Sequence, residues 1–374
     1  MSETSRQAAA ATGAGAPVVP PGVEVSWKVA EVAECDARGD HERAVRLLAD
    51  WTQQGDVDAM TELGKRLLVG FQAPFEPRQG TELMIKAANL GGAAAAGQLA
   101  VLAAIGMHIP QSWQTALAAI VFSAELGWPK ARGQLRVLSA DRELAAHDLH
   151  AENPDPKLWR RLADTIDLNR WHQPSPGVNL CESPLVRHLP GLVSRDVCQW
   201  MIEHARPRLT RALVYDTVED KSTANQTRTN TVALFNVTNS DLVSVLIQVQ
   251  ICANTGVSFR QLEPLSVLHY DVGEQIIEHF DFVDPDAPTF DQQVAEYGQR
   301  KITFLLYLNE DYTGGETELP KIGISHKGQL GGGFFFVNIR GNDEPDLRTL
   351  HAGRPPIRGE KWVVSQWVRS RATF

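Results

Sequence analysis

Cysteine is scarce in this 374-residue chain, and Cys35, Cys181, Cys198 and Cys252 are scattered with no Cys-x-x-Cys among them. That excludes a disulfide-stapled scaffold or a zinc ribbon and points to small buried thiols in a reducing compartment. A run of ~18 apolar residues is also missing, so no membrane-spanning helix is expected. Nor is there an excess of basic charge: 36 Lys and Arg against 45 Asp and Glu give a net charge of −9 and a pI near 5.7. Without a concentrated basic face, nucleic acid is not an expected partner. Residues 1–25 lack the basic start and leucine-rich core of a signal peptide, and their Ala, Gly, Pro and Ser content predicts a disordered tail. A cytoplasmic protein with no membrane attachment is expected.

What the chain does have is a repeat. Gly55, Gly91 and Gly127 are 36 residues apart, as are Ala59, Ala95 and Ala131, and Leu63, Leu99 and Leu135. Gly97-Gln98-Leu99 recurs as Gly133-Gln134-Leu135. A fixed period of this size predicts stacked helix-turn-helix units over residues 26–150, each burying its apolar face against the next. The alanines let helices approach, and the glycines end them in the left-handed conformation. The repeat resembles the Sel1-like subclass of tetratricopeptide helices, with about three units and a poorly kept first one. Such a module either binds a peptide, carrier protein or second subunit, or caps a neighbouring domain.

Four prolines within residues 151–177 predict a connector around one short helix. From Val178 onward, short apolar runs with period near two predict an all-β core over 178–374. One amphipathic helix interrupts it, from Ser194, a plausible N-cap, to Ala205. The expected class is α+β multidomain.

Within the β half, His279-Phe280-Asp281 follows Tyr270-Asp271-Val272-Gly273, and His351 lies far downstream with Lys361 ten residues beyond it. Two imidazoles and one carboxylate can occupy one face of an octahedral iron(II) and leave the opposite face open. On a strand, residues two apart point the same way, so His279 and Asp281 could act together, with His351 arriving from a neighbouring strand. Lys361 sits in an apolar stretch, where an unpaired ammonium is costly to bury.

With Thr303, Tyr307-Leu308-Asn309, Gly314-Gly315-Glu316-Thr317 and the run from His351 to Trp362, these residues make the segment 178–374 resemble the prolyl 4-hydroxylase branch of the iron(II)/2-oxoglutarate dioxygenases. The resemblance implies a double-stranded β-helix, a distorted jelly roll. It also implies iron(II) held by His279, Asp281 and His351, with 2-oxoglutarate and O2 as co-substrates and ascorbate as reductant. Lys361 would anchor the distal carboxylate of 2-oxoglutarate, helped by Tyr270, Thr303, Tyr307 and Ser365. Oxidative decarboxylation to succinate and carbon dioxide would then drive hydroxylation of an aliphatic C–H. Related halogenases lack the carboxylate that Asp281 supplies, so hydroxylation is the expected outcome.

For the substrate, the resemblance names proline-like molecules. Many peptidyl-prolyl hydroxylases carry a tyrosine three residues before the first metal histidine; here that residue is Ile276, followed by Ile277. Arg300 and Arg228 could pair a substrate carboxylate, and Trp367 could line the substrate site. Residues 216–230 correspond to a loop that folds over substrate in the family, and 284–297 form an acidic insert beside Asp281. These features favour a free cyclic amino acid, proline or pipecolic acid, in secondary metabolism. The alternatives are a prolyl peptide or protein, a slow prolyl-hydroxylating oxygen sensor, or a non-catalytic adaptor with a degenerate oxygenase domain. The intact ligand set argues against the adaptor.

Overall fold

The computed structural model describes residues 27–147, 149, 155–212, 214–216, 221–223 and 227–372. The expected tail, 1–25, lies outside them. The chain divides into two units, one running to Asp167 and including Val237–Val245, the other comprising Leu168–Asn236 and Leu246–Phe374.

The first unit is helical: α1 (Trp27–Ala37), α2 (His41–Gln53), α3 (Val57–Val69), α4 (Pro77–Asn89), α5 (Ala93–Ile105), α6 (Trp113–Glu125), α7 (Pro129–Leu138), α8 (Arg142–Ala146) and α9 (Pro156–Asp164). The side chains of Asp40, Asp56 and Ser112 cap α2, α3 and α6 by accepting a backbone N–H three residues on. Gly55, Gly91 and Gly127 adopt φ of +87°, +89° and +91°, so the 36-residue step marks equivalent left-handed turns. Close approach explains two more glycines. A Cβ on Gly80 would lie 2.7 Å from the Gly64 carbonyl oxygen, and one on Gly97 would strike the Trp128 ring. Leu48, Trp51, Leu63 and Leu67 form one apolar cluster of the stack, and Met60, Met84, Ala95 and Leu102 another.

The helical unit extends beyond residue 150. In α9, Leu158, Trp159 and Leu162 are buried against α6 and α7, and Ser139 hydrogen-bonds Thr165 at 2.7 Å. The proline that looked like linker punctuation, Pro156, is the first residue of this helix, with the Asp155 side chain accepting from the Lys157 N–H. Proline is tolerated there because that position has no intrahelical N–H bond to lose. Part of the expected connector therefore packs with the helical unit.

The second unit begins with α10 (Leu168–His172) and is built on two sheets. The larger contains β1 (Val178–Glu182), β2 (Leu185–Leu189), β3 (Thr210–Arg211), β6 (Thr231–Phe235), β7 (Leu265–Tyr270), β9 (Arg300–Tyr307), β13 (Gly333–Val337) and β16 (Lys361–Arg369), in the order β1-β2-β13-β9-β16-β7-β6-β3. The smaller has the order β12-β11-β14-β8, from β8 (Ile276–His279), β11 (Thr317–Leu319), β12 (Ile324–His326) and β14 (His351–Gly353). Two further pairs join β4 (Val214–Asp216) to β5 (Lys221–Thr223) and β10 (Thr313–Gly314) to β15 (Pro356–Arg358). The result is the antiparallel jelly roll expected from the sequence. Helices α11 (Arg195–Ala205), α12 (Leu242–Thr255) and α13 (Phe290–Tyr297) complete the set, and Ser194 caps α11 by accepting from the Val197 N–H. Val186, Leu319, Phe334, Phe336 and Val363 form an apolar core around Tyr307. Among the described residues, no helix is long and apolar enough to cross a membrane.

Candidate metal and co-substrate site

Strand pairing brings the two distant histidines together. His351 on β14 lies opposite His279 on β8, and their rings are 4.2 Å apart between centroids. Asp281 follows two residues after β8 ends at His279, and its buried carboxylate stands between them. His279 Nε2 is 3.5 Å from Oδ1, and His351 Nε2 is 3.3 Å from Oδ2. One ligand atom from each residue lies within 4.8 Å of the others.

The second ring nitrogens decide what this cluster can do. His279 Nδ1 is 2.8 Å from the Ile277 carbonyl oxygen, and His351 Nδ1 is 3.0 Å from that of Thr349. A carbonyl only accepts, so each Nδ1 carries a proton and each Nε2 is the nitrogen left to face Asp281 and a metal. Such outer bonds fix metal-binding histidines in their tautomer and orientation. Burial alone would raise the Asp281 carboxyl, but the two histidines outweigh it and hold it well below the usual carboxylate range. Two neutral imidazoles and one carboxylate fit a divalent iron and leave coordination positions free.

Thr303 departs from expectation. Its hydroxyl donates to Asp281 Oδ2 at 2.6 Å and accepts from Asn338 Nδ2 at 2.9 Å. It is therefore committed to the ligand carboxylate and does not stand beside Lys361 as a donor to an oxoacid. Asn338, which the sequence reading did not single out, is fully buried.

Lys361 opens β16, an interior strand between β7 and β9, and pairs with Tyr270 of β7. It is 2% exposed. Its Nζ donates to the Gly315 carbonyl at 2.7 Å and lies 5.2 Å from the Tyr270 ring and 5.6 Å from that of Tyr307. Burial pulls its pKa down to about 7, opposed only in part by Glu316. The ammonium thus has aromatic faces and one carbonyl around it but no paired carboxylate among the described residues, which fits an anionic ligand supplying the missing charge. Tyr307 also bonds Thr317 through its hydroxyl at 2.9 Å, and both Tyr270 and Tyr307 have their phenols pushed up by burial. Thr317 and the Gly315 carbonyl are further members of this cluster that sequence alone did not mark. Ser365 shares the Lys361 face of β16 but stands four residues on, roughly 13 Å at strand rise, which distances it from the ammonium.

The substrate candidates divide into two groups. Arg300 sends Nε and Nη2 to Glu263 at 2.8 and 3.1 Å and lies 3.5 Å over the Trp367 ring. The fork expected to grip a substrate carboxylate is therefore engaged within the protein. Arg228 donates its Nε to Asn230 Oδ1 at 3.1 Å, its backbone bridges to Ile276 at the start of β8, and its charge is felt at Tyr270. The Ile277 N–H donates to Thr227 and the Thr229 N–H to Gln275, which ties the end of the expected lid to the strand carrying His279. In that lid, 214–216 and 221–223 pair as a hairpin, while 217–220 and 224–226 lie outside the described residues. The acidic insert contains α13, and buried Gln299 clips its base by donating to the Val283 carbonyl and accepting from the Val283 N–H.

A sequence profile of the 2OG-Fe(II) oxygenase superfamily matches residues 265–369, which include every residue of this cluster. The chain carries a 2OG-Fe(II) oxygenase domain. Around that oxygenase domain the likeness is to prolyl 4-hydroxylases. The prolyl 4-hydroxylase subunit alpha-1 of Gallus gallus is 32% identical over 190 residues, 51% of this chain and 36% of that one. A probable prolyl 4-hydroxylase 3 of Arabidopsis thaliana is 30% identical over 195 residues, 47% of this chain and 66% of that one. The chain thus spans little more than a third of the length of the Gallus relative.

Proposed function

We propose that this protein is an iron(II)- and 2-oxoglutarate-dependent hydroxylase of a proline-like substrate. One observation carries the reading: His279, Asp281 and His351 converge, and Tyr270, whose phenol feels the Asp281 charge, lies 5.2 Å from a buried ammonium, Lys361, that lacks a paired carboxylate among the described residues. In the overall reaction, C–H, O2 and 2-oxoglutarate become C–OH, succinate and carbon dioxide. Bound iron would supply the oxidation that breaks the C–H bond. The chain supplies the rest. His279 Nε2, His351 Nε2 and an Asp281 oxygen would hold the metal, and Thr303 would steady the carboxylate. Lys361 would neutralise the far carboxylate of 2-oxoglutarate, with Tyr270 and Tyr307 walling that end from water.

For the substrate we favour a free cyclic amino acid such as proline or pipecolic acid, as in secondary metabolism. Ile276, on the strand that carries His279, and Arg228, bridged to it, suit an apolar ring bearing a carboxylate. The second reading, a prolyl peptide, is favoured by the similarity to prolyl 4-hydroxylases. Four free cysteines, two of them buried, suit a reducing compartment such as the cytoplasm.

The test is incubation with iron(II), ascorbate and 2-oxoglutarate against free proline, pipecolic acid and prolyl peptides, reading succinate and product mass together. Succinate formed in step with a product heavier by one oxygen atom is expected. If none of the three accelerates 2-oxoglutarate turnover, the proline-like assignment fails.

A further inference from the structure

The repeat unit holds a piece of non-repeat chain. Residues Val237–Val245 lie between β6 and the body of α12 in sequence, yet they cluster with the helices. Two glutamines grip them. Gln98 Nε2 donates to the Val237 carbonyl at 2.6 Å, and Gln134 Oε1 accepts from the Leu242 N–H at 2.8 Å. Both glutamines are the middle residue of the recurring Gly-Gln-Leu, so they occupy equivalent places in successive repeats. Both are buried, at 5% and 1% exposed. The corresponding residue one repeat earlier is Glu62, which instead pairs with Arg66 within α3.

The bonds go to backbone, and they meet specific needs there. Leu242 is the first residue of α12, and its N–H has no partner inside the helix, so the Gln134 carbonyl satisfies an orphan donor. Asp241 caps the same turn through the Ser244 N–H at 3.0 Å and pairs with Lys130 of α7 at 3.4 Å. Val237 packs on the Met60, Met84 and Leu102 cluster, and Leu242 and Val243 are fully buried. The segment is held as a peptide ligand is held, by backbone hydrogen bonds, a charge pair and an apolar anchor.

We infer that the surface bearing Gln98 and Gln134 is a peptide-binding surface whose occupant is residues 237–245 of this same chain. The repeats act there as a clamp in cis that seats the first turn of α12, and that surface is closed to partners in trans.

Hydrogen–deuterium exchange on the full chain tests this, with no iron or co-substrate present, so its failure is separate from any failure of the oxygenase proposal. Peptides covering 237–247 are expected to exchange slowly in the unaltered protein. Gln98→Glu sets a carboxylate oxygen against the Val237 carbonyl and should speed exchange there by roughly tenfold or more. Gln134→Met removes the acceptor for the Leu242 N–H and should speed exchange across the first turn of α12 by roughly tenfold. Peptides from 57–105 report whether the module itself stays folded; if Gln98→Glu unfolds it, Gln98→Met removes only the donor and is read in the same way. Exchange in the unaltered protein as fast as in an exposed turn would overturn the inference. So would exchange across 237–247 in both Gln98→Glu and Gln134→Met that matches the unaltered protein.

Discussion

The Thr303 hydroxyl lies 2.6 Å from Asp281 Oδ2, so a residue of the central β9 strand holds the carboxylate that stands between two histidines. Asn338 donates to that same hydroxyl, which leaves the threonine proton directed at Asp281. Bonds of this kind fix the orientation of a ligand carboxylate, and losing one weakens metal binding by about 10- to 100-fold. Thr303→Val should therefore lower iron(II) affinity by that factor, and Thr303→Ser should restore most of it. Titration of the metal-free protein with iron(II) under anaerobic conditions checks both. Equal affinity in Thr303→Val would remove the threonine from the site.

Lys361 sets a pH dependence whose sign is fixed. In the free protein burial draws its pKa to about 7, and a bound dianion would raise it again. Below pH 7 the ammonium is already charged, so 2-oxoglutarate binds without proton uptake. Above pH 7 each binding event must take up one proton, and the dissociation constant should rise about tenfold per pH unit. Calorimetry in buffers of different ionisation enthalpy reads the uptake directly.

The same burial makes a stability prediction of opposite sense. An unfolded lysine holds its proton to about pH 10.4, whereas the folded one releases it near 7. Between these values the unfolded chain binds more protons, so this group makes the ligand-free protein more stable as pH rises through that window. Lys361→Met removes the buried charge. At pH 6 it should melt no lower than the parent while losing 2-oxoglutarate binding. A melting temperature well below the parent's would show that the ammonium is already neutralised within the fold.

The convergence of His279, Asp281 and His351 was legible through the family resemblance, whereas the alternation argument did not apply, because β8 ends at His279 and Asp281 lies beyond it. The helical repeat was legible as well, since Gly55, Gly91 and Gly127 recur at turns that require positive φ. Thr303 was not. Alternation tells which face of β9 a side chain takes but not which neighbour it meets, and two sites flank that face. Arg300 misled for a similar reason, because its partner Glu263 lies 37 residues away and only the fold brings them together. The reach of the helical unit to α9 was hidden by Pro156, which is linker punctuation in a sequence and a helix start in the structure. Nothing in the sequence showed that Gln98 and Gln134 would close on residues 237–245.

Gln299 grips Val283 through both its backbone N–H and its carbonyl, which closes the base of the insert that follows Asp281. Gln299→Leu would leave two buried backbone groups without partners, a cost of roughly 2–4 kcal/mol. Chemical denaturation should show that loss, with faster amide exchange across 283–297. Unchanged exchange would mean that the insert is held elsewhere.

Iron binding itself tests the account most directly. Anaerobic titration of the full chain, followed by 2-oxoglutarate, should load one iron(II) per chain and then one co-substrate. His279→Ala and Asp281→Ala should each abolish loading at the same concentrations, while Lys361→Met keeps the iron and loses the co-substrate. Undiminished iron loading in His279→Ala and Asp281→Ala, or undiminished 2-oxoglutarate binding in Lys361→Met, would contradict it.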